Sequence, residues 1–187
     1  MLKEGKGTTY SFDVCSQCKS ICCQDAKPPL TSNRKKIIEE YLKKNKLKIA
    51  NSFAKNEYSY PAVDRNLYCR FFNKKTGKCL VHSVKPETCV AGPITFDINF
   101  DTQKVCFFLK KEEICAYAGV LFKDKPALTK HFEVARKQII DLIEQLSAEE
   151  LRALMKIDEP QTFKFCEEPL SLAVIRKLDL RSPHPEV

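Results

Sequence analysis

Apolar positions recur along this chain with two different periods, and each period predicts an element. Ile37, Ile38, Tyr41 and Leu42 fall on one helical face with Lys and Glu on the other. Thr31, Ser32 and Asn33 stand just before this stripe as candidate N-caps, and Pro28-Pro29 sets an extended entry. A helix is therefore expected from there until about Asn45 or Leu47. Ile94, Phe96, Ile98 and Phe100 alternate with Thr95, Asp97 and Asn99, the period-two pattern of a half-buried strand. Asp101-Thr102-Gln103-Lys104 makes a turn and Val105 to Leu109 returns, so a β-hairpin is predicted at about 94–109.

Leu128, Phe132, Ala135, Ile139, Leu142, Ile143 and Leu146 form the apolar stripe of a long helix, with Asp124 as its cap and Pro126 in its first turn. Ser147-Ala148-Glu149-Glu150 is a capping box and opens another helix through about Met155. Pro160, Pro169, Pro183 and Pro185 then predict a loop-rich, frayed tail. Thr76-Gly77-Lys78 reads as a tight turn. Residues 50–68 show no clear period. The expected fold class is α+β: a small metal-stapled cysteine-cluster domain with a β-hairpin at 1–122, covered by a helical C-terminal extension with a loop-rich tail at 123–187.

Composition changes little of this. The 187 residues are 43% hydrophobic and 30% charged, as in one globular domain with or without an appendage. No apolar run approaches the ~18 residues of a membrane span, and no signal peptide is visible, so a cytoplasmic protein is expected. Thiols stay reduced there, which argues against a disulfide framework. The net charge of +8, mostly lysine, reads as a solvated surface, of which Lys35, Lys36, Lys43, Lys44 and Lys46 are one face. It also leaves a polyanion partner open. Nucleic acid is possible but not favoured, because no base-reading motif is present.

The ten cysteines carry the chemistry. Cys15, Cys18, Cys22 and Cys23 crowd into nine residues, and Cys69, Cys79 and Cys89 follow with nine residues between neighbours. A Cys-x2-Cys turn can chelate one ion, and a tetrahedral site then needs ligands from a second segment. Adjacent side chains diverge, so Cys22-Cys23 suggests two neighbouring centres or one spare thiol. With Cys115 the candidates number eight, enough for two four-thiolate sites. Zinc and iron–sulfur both accept such ligands. His82 is a further candidate between Cys79 and Cys89. Cys106 and Cys166 are assigned to the core as small hydrophobes, Cys106 on the inward face of its strand. Phe71, Phe72, Phe96, Phe100, Phe107 and Phe108 are assigned to the core, and His131 and His184 to the surface. No paired-carboxylate, Ser/His/Asp or phosphate-cradling glycine motif is present.

The N-terminal cluster, then Cys69, Cys79 and Lys85-Pro86-Glu87-Thr88-Cys89 with Gly92-Pro93 behind, resembles the CxxCxxCC family of YkgJ-like cysteine-cluster proteins. The resemblance covers roughly residues 10–120. It implies a zinc- or iron-chelating domain with Cys15, Cys18, Cys22, Cys23, Cys69, Cys79 and Cys89 as ligands, and Cys115 resembles the family's last cysteine. Three residues separate Cys18 from Cys22 where the family name implies two, and Lys85 stands where the family usually has arginine. The expected function is a metal-binding protein with cysteine-ligated iron–sulfur or zinc centres, serving electron transfer or cluster handling with a redox or other protein partner. One relative is a flagellin lysine methylase, so a protein-modifying enzyme is an alternative. A structural zinc interaction module, with or without nucleic acid as its partner, is another.

Overall fold

The protein is seen here as a computed structural model, which describes residues 22–157 and 161–180. Cys15, Cys18 and His184 lie outside the described residues.

Helix α1, Ser32–Lys44, starts where its caps predict. The Thr31 hydroxyl accepts the Arg34 amide at 3.0 Å, and Ile38 and Leu42 are buried. Two short antiparallel hairpins follow: β1, Phe53–Lys55, with β2, Ser59–Pro61, and β3, Phe72–Asn73, with β4, Lys78–Cys79. Strands of two and three residues are too short to show an alternation, which is why residues 50–68 gave no period. Gly77 sits in the β3–β4 turn at φ 67°, where a side chain would be strained. A 3-10 turn, His82–Val84, leads to α2, Glu87–Ala91.

The predicted hairpin forms as β5, Ile94–Asn99, and β6, Lys104–Lys110, paired antiparallel. The expectation of a loop-rich tail is corrected over part of its length. Thr162–Pro169 forms β7, antiparallel to β6, and Leu172–Lys177 forms α6, capped by Ser171. Pro169 does not break this strand because it is the last residue of an edge strand. The sheet, in the order β5-β6-β7, thus unites the hairpin with a strand from beyond residue 123. The placement of Cys106 is also corrected. It is buried, but it pairs with Asp97 while Phe107 pairs with Phe96, so it lies on the face opposite the main core, with its sulfur 3.9 Å from a Glu167 carboxylate oxygen.

Helix α3, Ala116–Lys123, precedes α4, Lys125–Gln145, whose cap Asp124 accepts the Ala127 amide at 3.1 Å. α5, Ala148–Leu154, opens on the predicted capping box between Ser147 and Glu150. The sheet residues Ile94, Ile98, Val105, Phe107 and Leu109 share one core with Ala135, Ile139, Leu142 and Ile143 of α4. Leu30, Ile38, Leu42, Phe71 and Val81 form a second, smaller core. The Lys177 ammonium donates to the carbonyls of Ile143, Glu144 and Leu146 at 2.7, 3.0 and 2.7 Å, capping the end of α4. Among the described residues, no helix is long and apolar enough to cross a membrane.

Candidate metal centre

Backbone pairing brings the two cysteine segments together. The Cys69 amide donates to the Cys23 carbonyl and the Asp25 amide to the Leu67 carbonyl, both at 2.8 Å, around an antiparallel bridge between Gln24 and Tyr68. The turn before Cys69 is held by Asp64. One of its carboxylate oxygens accepts the Asn66 and Tyr68 amides at 2.8 and 3.0 Å, and the other meets the Lys74 ammonium at 2.7 Å. Cys79 follows ten residues later on β4, where it pairs with Phe72 of β3. Both Cys69 and Cys79 pack against the smaller core. Cys89 lies in the middle of α2, whose last residue, Ala91, belongs to the main core. Cys22 and Cys89 are exposed at the surface, and Cys23, Cys69, Cys79 and Cys115 are half-buried.

Five sulfurs, those of Cys22, Cys23, Cys69, Cys79 and Cys89, stand near enough for their charges to act on one another. Cys22 and Cys23 are hydrogen-bonded and divide one proton between them. The bond from Cys23 brings the Cys22 thiol down to about 6, against the pull of burial and with help from Lys85 and Lys110, while Cys23 is pushed up. Burial pushes Cys69 up to about 11, and raises Cys79 and Cys89 as well. Cys89 reaches solvent on one side, yet the protein atoms crowding its other side dominate its environment.

Opposing that burial, the amides of Phe71 and Phe72 act on the Cys69 sulfur and that of Val81 on Cys79, each favouring the thiolate. Amide bonds to sulfur of this kind tune thiolate-bound metals. The cysteine spacing alone does not reveal them, although Cys69 and Cys79 each have a hydrophobic residue two positions on that is anchored in the smaller core.

Lys85 and Lys110 act on these thiols, and the segment that carries the thiols is basic. Residues 22–91 hold fifteen Lys and Arg against six Asp and Glu, whereas residues 92–180 hold thirteen against fifteen. A four-thiolate shell around a divalent ion keeps a net negative charge, and this basic half offsets it.

His82 opens the 3-10 turn between Cys79 and Cys89, and burial followed by Lys85 lowers its imidazole. Cys115 is the N-cap residue of α3 and packs on the main core. His131, expected at the surface, is instead buried. It faces α2 from α4, with its Nε2 3.0 Å from the Ala91 carbonyl oxygen. Cys166 packs partly buried against the main core, as expected for a small hydrophobe.

The donor set suits a thiolate-bound ion. Among the described residues, no three Cys, His, Asp or Glu side chains already stand where they can hold one ion. A complete shell therefore requires ligands from outside those residues or a small closure of the Cys69, Cys79 and Cys89 elements. Two clefts lie elsewhere, one lined by Thr95, Asp97, Phe108 and Met155 and one by Lys110, Glu112, Gly119 and Phe122; no cysteine lines either.

A family model described as a proposed zinc- or iron-chelating domain matches residues 14–116, a span that holds all eight candidate cysteines. No curated protein and no solved structure gives a significant match to the chain.

Proposed function

Because the chain belongs to the CxxCxxCC family of zinc- or iron-chelating domains, we propose that it carries one or two thiolate-ligated metal centres. The ligands are drawn from Cys15, Cys18, Cys22, Cys23, Cys69, Cys79, Cys89 and Cys115. The observation that carries this reading is the backbone bond from the Cys69 amide to the Cys23 carbonyl, which sets cysteines of two distant segments side by side within the span that the family model matches. Burial first, and neighbouring thiolate charge after it, raises Cys69, Cys79 and Cys89, so their thiolates need a compensating positive charge, which a bound cation would supply.

In this reading the protein's own groups have distinct tasks. The Cys22–Cys23 pair makes first contact, since it is partly exposed and one sulfur ionises readily. The amides of Phe71, Phe72 and Val81 orient Cys69 and Cys79 and stabilise their thiolates. Lys85 and Lys110 balance the charge of the ligand shell. The metal supplies either a structural crosslink, if zinc, or an electron-transfer or cluster-handling centre, if iron–sulfur. If the centre is iron–sulfur, the amides that act on Cys69 and Cys79 would help to set its potential. With that role goes a redox or other protein partner, and the cytoplasm is the location proposed for both.

Anaerobic purification with zinc, iron and acid-labile sulfide analysis and a visible spectrum tests the proposal. At least one equivalent of zinc or iron is expected, and replacing both Cys69 and Cys79 by serine should remove it. A protein that binds neither metal, even after anaerobic reconstitution, would overturn the reading.

A further inference from the structure

Glu87 lies within the Lys85-Pro86-Glu87-Thr88-Cys89 run, where a glutamate looks like any surface residue, yet it is 3% exposed. One carboxylate oxygen accepts the Thr31 hydroxyl at 2.6 Å and stands 3.6 Å from the Arg34 Nε, both from the start of α1. Arg34 also donates to the Gln138 side chain on α4. The other oxygen of Glu87 is buried with no partner. Thr31, Arg34 and the first turn of α2 favour one side of this carboxylate and leave its other oxygen buried without a bond. A buried carboxylate with an orphan oxygen is costly, and an apolar residue of like size fits such a place better.

The setting of α2 bears on what Glu87 does. The helix is five residues long and is gripped at both ends, by Thr31 and Arg34 at Glu87 and by His131 at the Ala91 carbonyl. It also packs along α4 more extensively than any other helix pair does. Residues two apart on an α-helix point about 200° away from each other. Burying Glu87 therefore turns Cys89 outward, as its exposure shows, toward the charges of Cys22, Cys69 and Cys79.

We propose that Glu87 is a positioning residue that fixes the rotation of α2 and so aims Cys89 at the cysteine cluster. The inference rests on the reading of Cys89 as a metal ligand.

Anaerobic titration of the full chain with Co(II), under chelator competition, tests it. The sulfur-to-cobalt charge-transfer band reports the thiolates bound. Glu87→Leu should weaken Co(II) binding about tenfold, the lower end for residues that orient ligands. It should lose the same share of the band as Cys89→Ser. The double variant should be no worse than Cys89→Ser alone, because the two changes act through one ligand. Glu87→Gln keeps the size and the acceptor for Thr31 and should bind within about threefold of the parent. In the metal-free protein, the iodoacetamide alkylation rate at Cys89 should change in Glu87→Leu and return in Glu87→Gln. If circular dichroism shows the leucine variant unfolded, Glu87→Asp, which draws the carboxylate back by one methylene, takes its place with the same expectations.

A leucine variant with parental affinity and a full band would sink the inference, as would additive losses in the double variant. Should Cys89→Ser itself leave binding and band intact, Cys89 is no ligand, and the reading beneath the inference fails with it. Should Cys89→Ser weaken binding while Glu87→Leu does not, the positioning role alone is wrong.

Discussion

The amide of Cys69 donates to the carbonyl of Cys23 at 2.8 Å. This one bond splices the N-terminal cysteine run to the middle of the chain before any metal is considered. Cys23 and Cys69 are 46 residues apart in sequence, and closing that loop is an entropic cost already met by the backbone. An ion at this place therefore meets sulfurs whose neighbours are partly arranged.

The two cores differ in size, and metal removal should expose the difference. Among the described residues, the smaller core has five buried side chains against twenty-two in the larger. A core of five is too small to stand without a staple. Stripping the metal with a chelator should raise hydrogen exchange at the amides of Cys69, Arg70 and Leu80 well before those of Val105 and Phe107. Equal loss of protection in both regions would contradict the metal's role as that staple.

Phe71 is fully buried and meets Phe53 edge-on, with ring centroids 5.6 Å apart. Phe71→Ala should destabilise the protein by about 3 kcal/mol in urea unfolding. It should also weaken metal binding, because Cys69 packs on the same core two residues away. A loss under about 1 kcal/mol would mean that the smaller core contributes little.

Asp64 holds the turn that delivers Cys69, and the Lys74 ammonium brings its carboxyl down to about 2. The ordinary value in an unfolded chain is about 3.9. A depressed folded-state value means that its stabilisation is complete above about pH 4 and disappears as pH falls toward 2. Thermal midpoints of the parent and of Asp64→Asn should therefore differ at neutral pH and draw together below pH 4. A gap that stays constant to the lowest pH at which the parent folds would exclude this ion pair as its source.

Lys177 caps the last turn of α4 with three carbonyl contacts, although burial lowers its ammonium. Lys177→Met keeps most of the stem and removes the donors. A loss of about 2 kcal/mol in chemical unfolding is expected, the scale for hydrogen bonds to a charged group. Metal content should not change, since α6 contributes no candidate ligand.

Some of this was legible in the sequence, for reasons visible at particular residues. Helix α1, the β5–β6 hairpin, α4 and the Ser147 capping box each carry enough periodic positions or cap chemistry to declare themselves. The family resemblance was legible because cysteine spacing is a local property. β7 was not, because a register shift opposite Phe107 and Phe108 breaks its alternation, and Pro169 at its end, with Pro160 before it, looks like a loop signal. His131 looked exposed because nothing near it in sequence shows that α2 will lie against it. Glu87 was hidden for the same reason: its partners, Thr31 and Arg34, are more than fifty residues away.

α4 spans Lys125–Gln145, so all eight candidate cysteines leave the ribosome before the helix that grips α2. A nascent chain thus presents its thiols without the buttress that aims Cys89. An ion captured during synthesis would therefore meet the cysteines before Cys89 has its final setting, and one captured after release would meet them all in place.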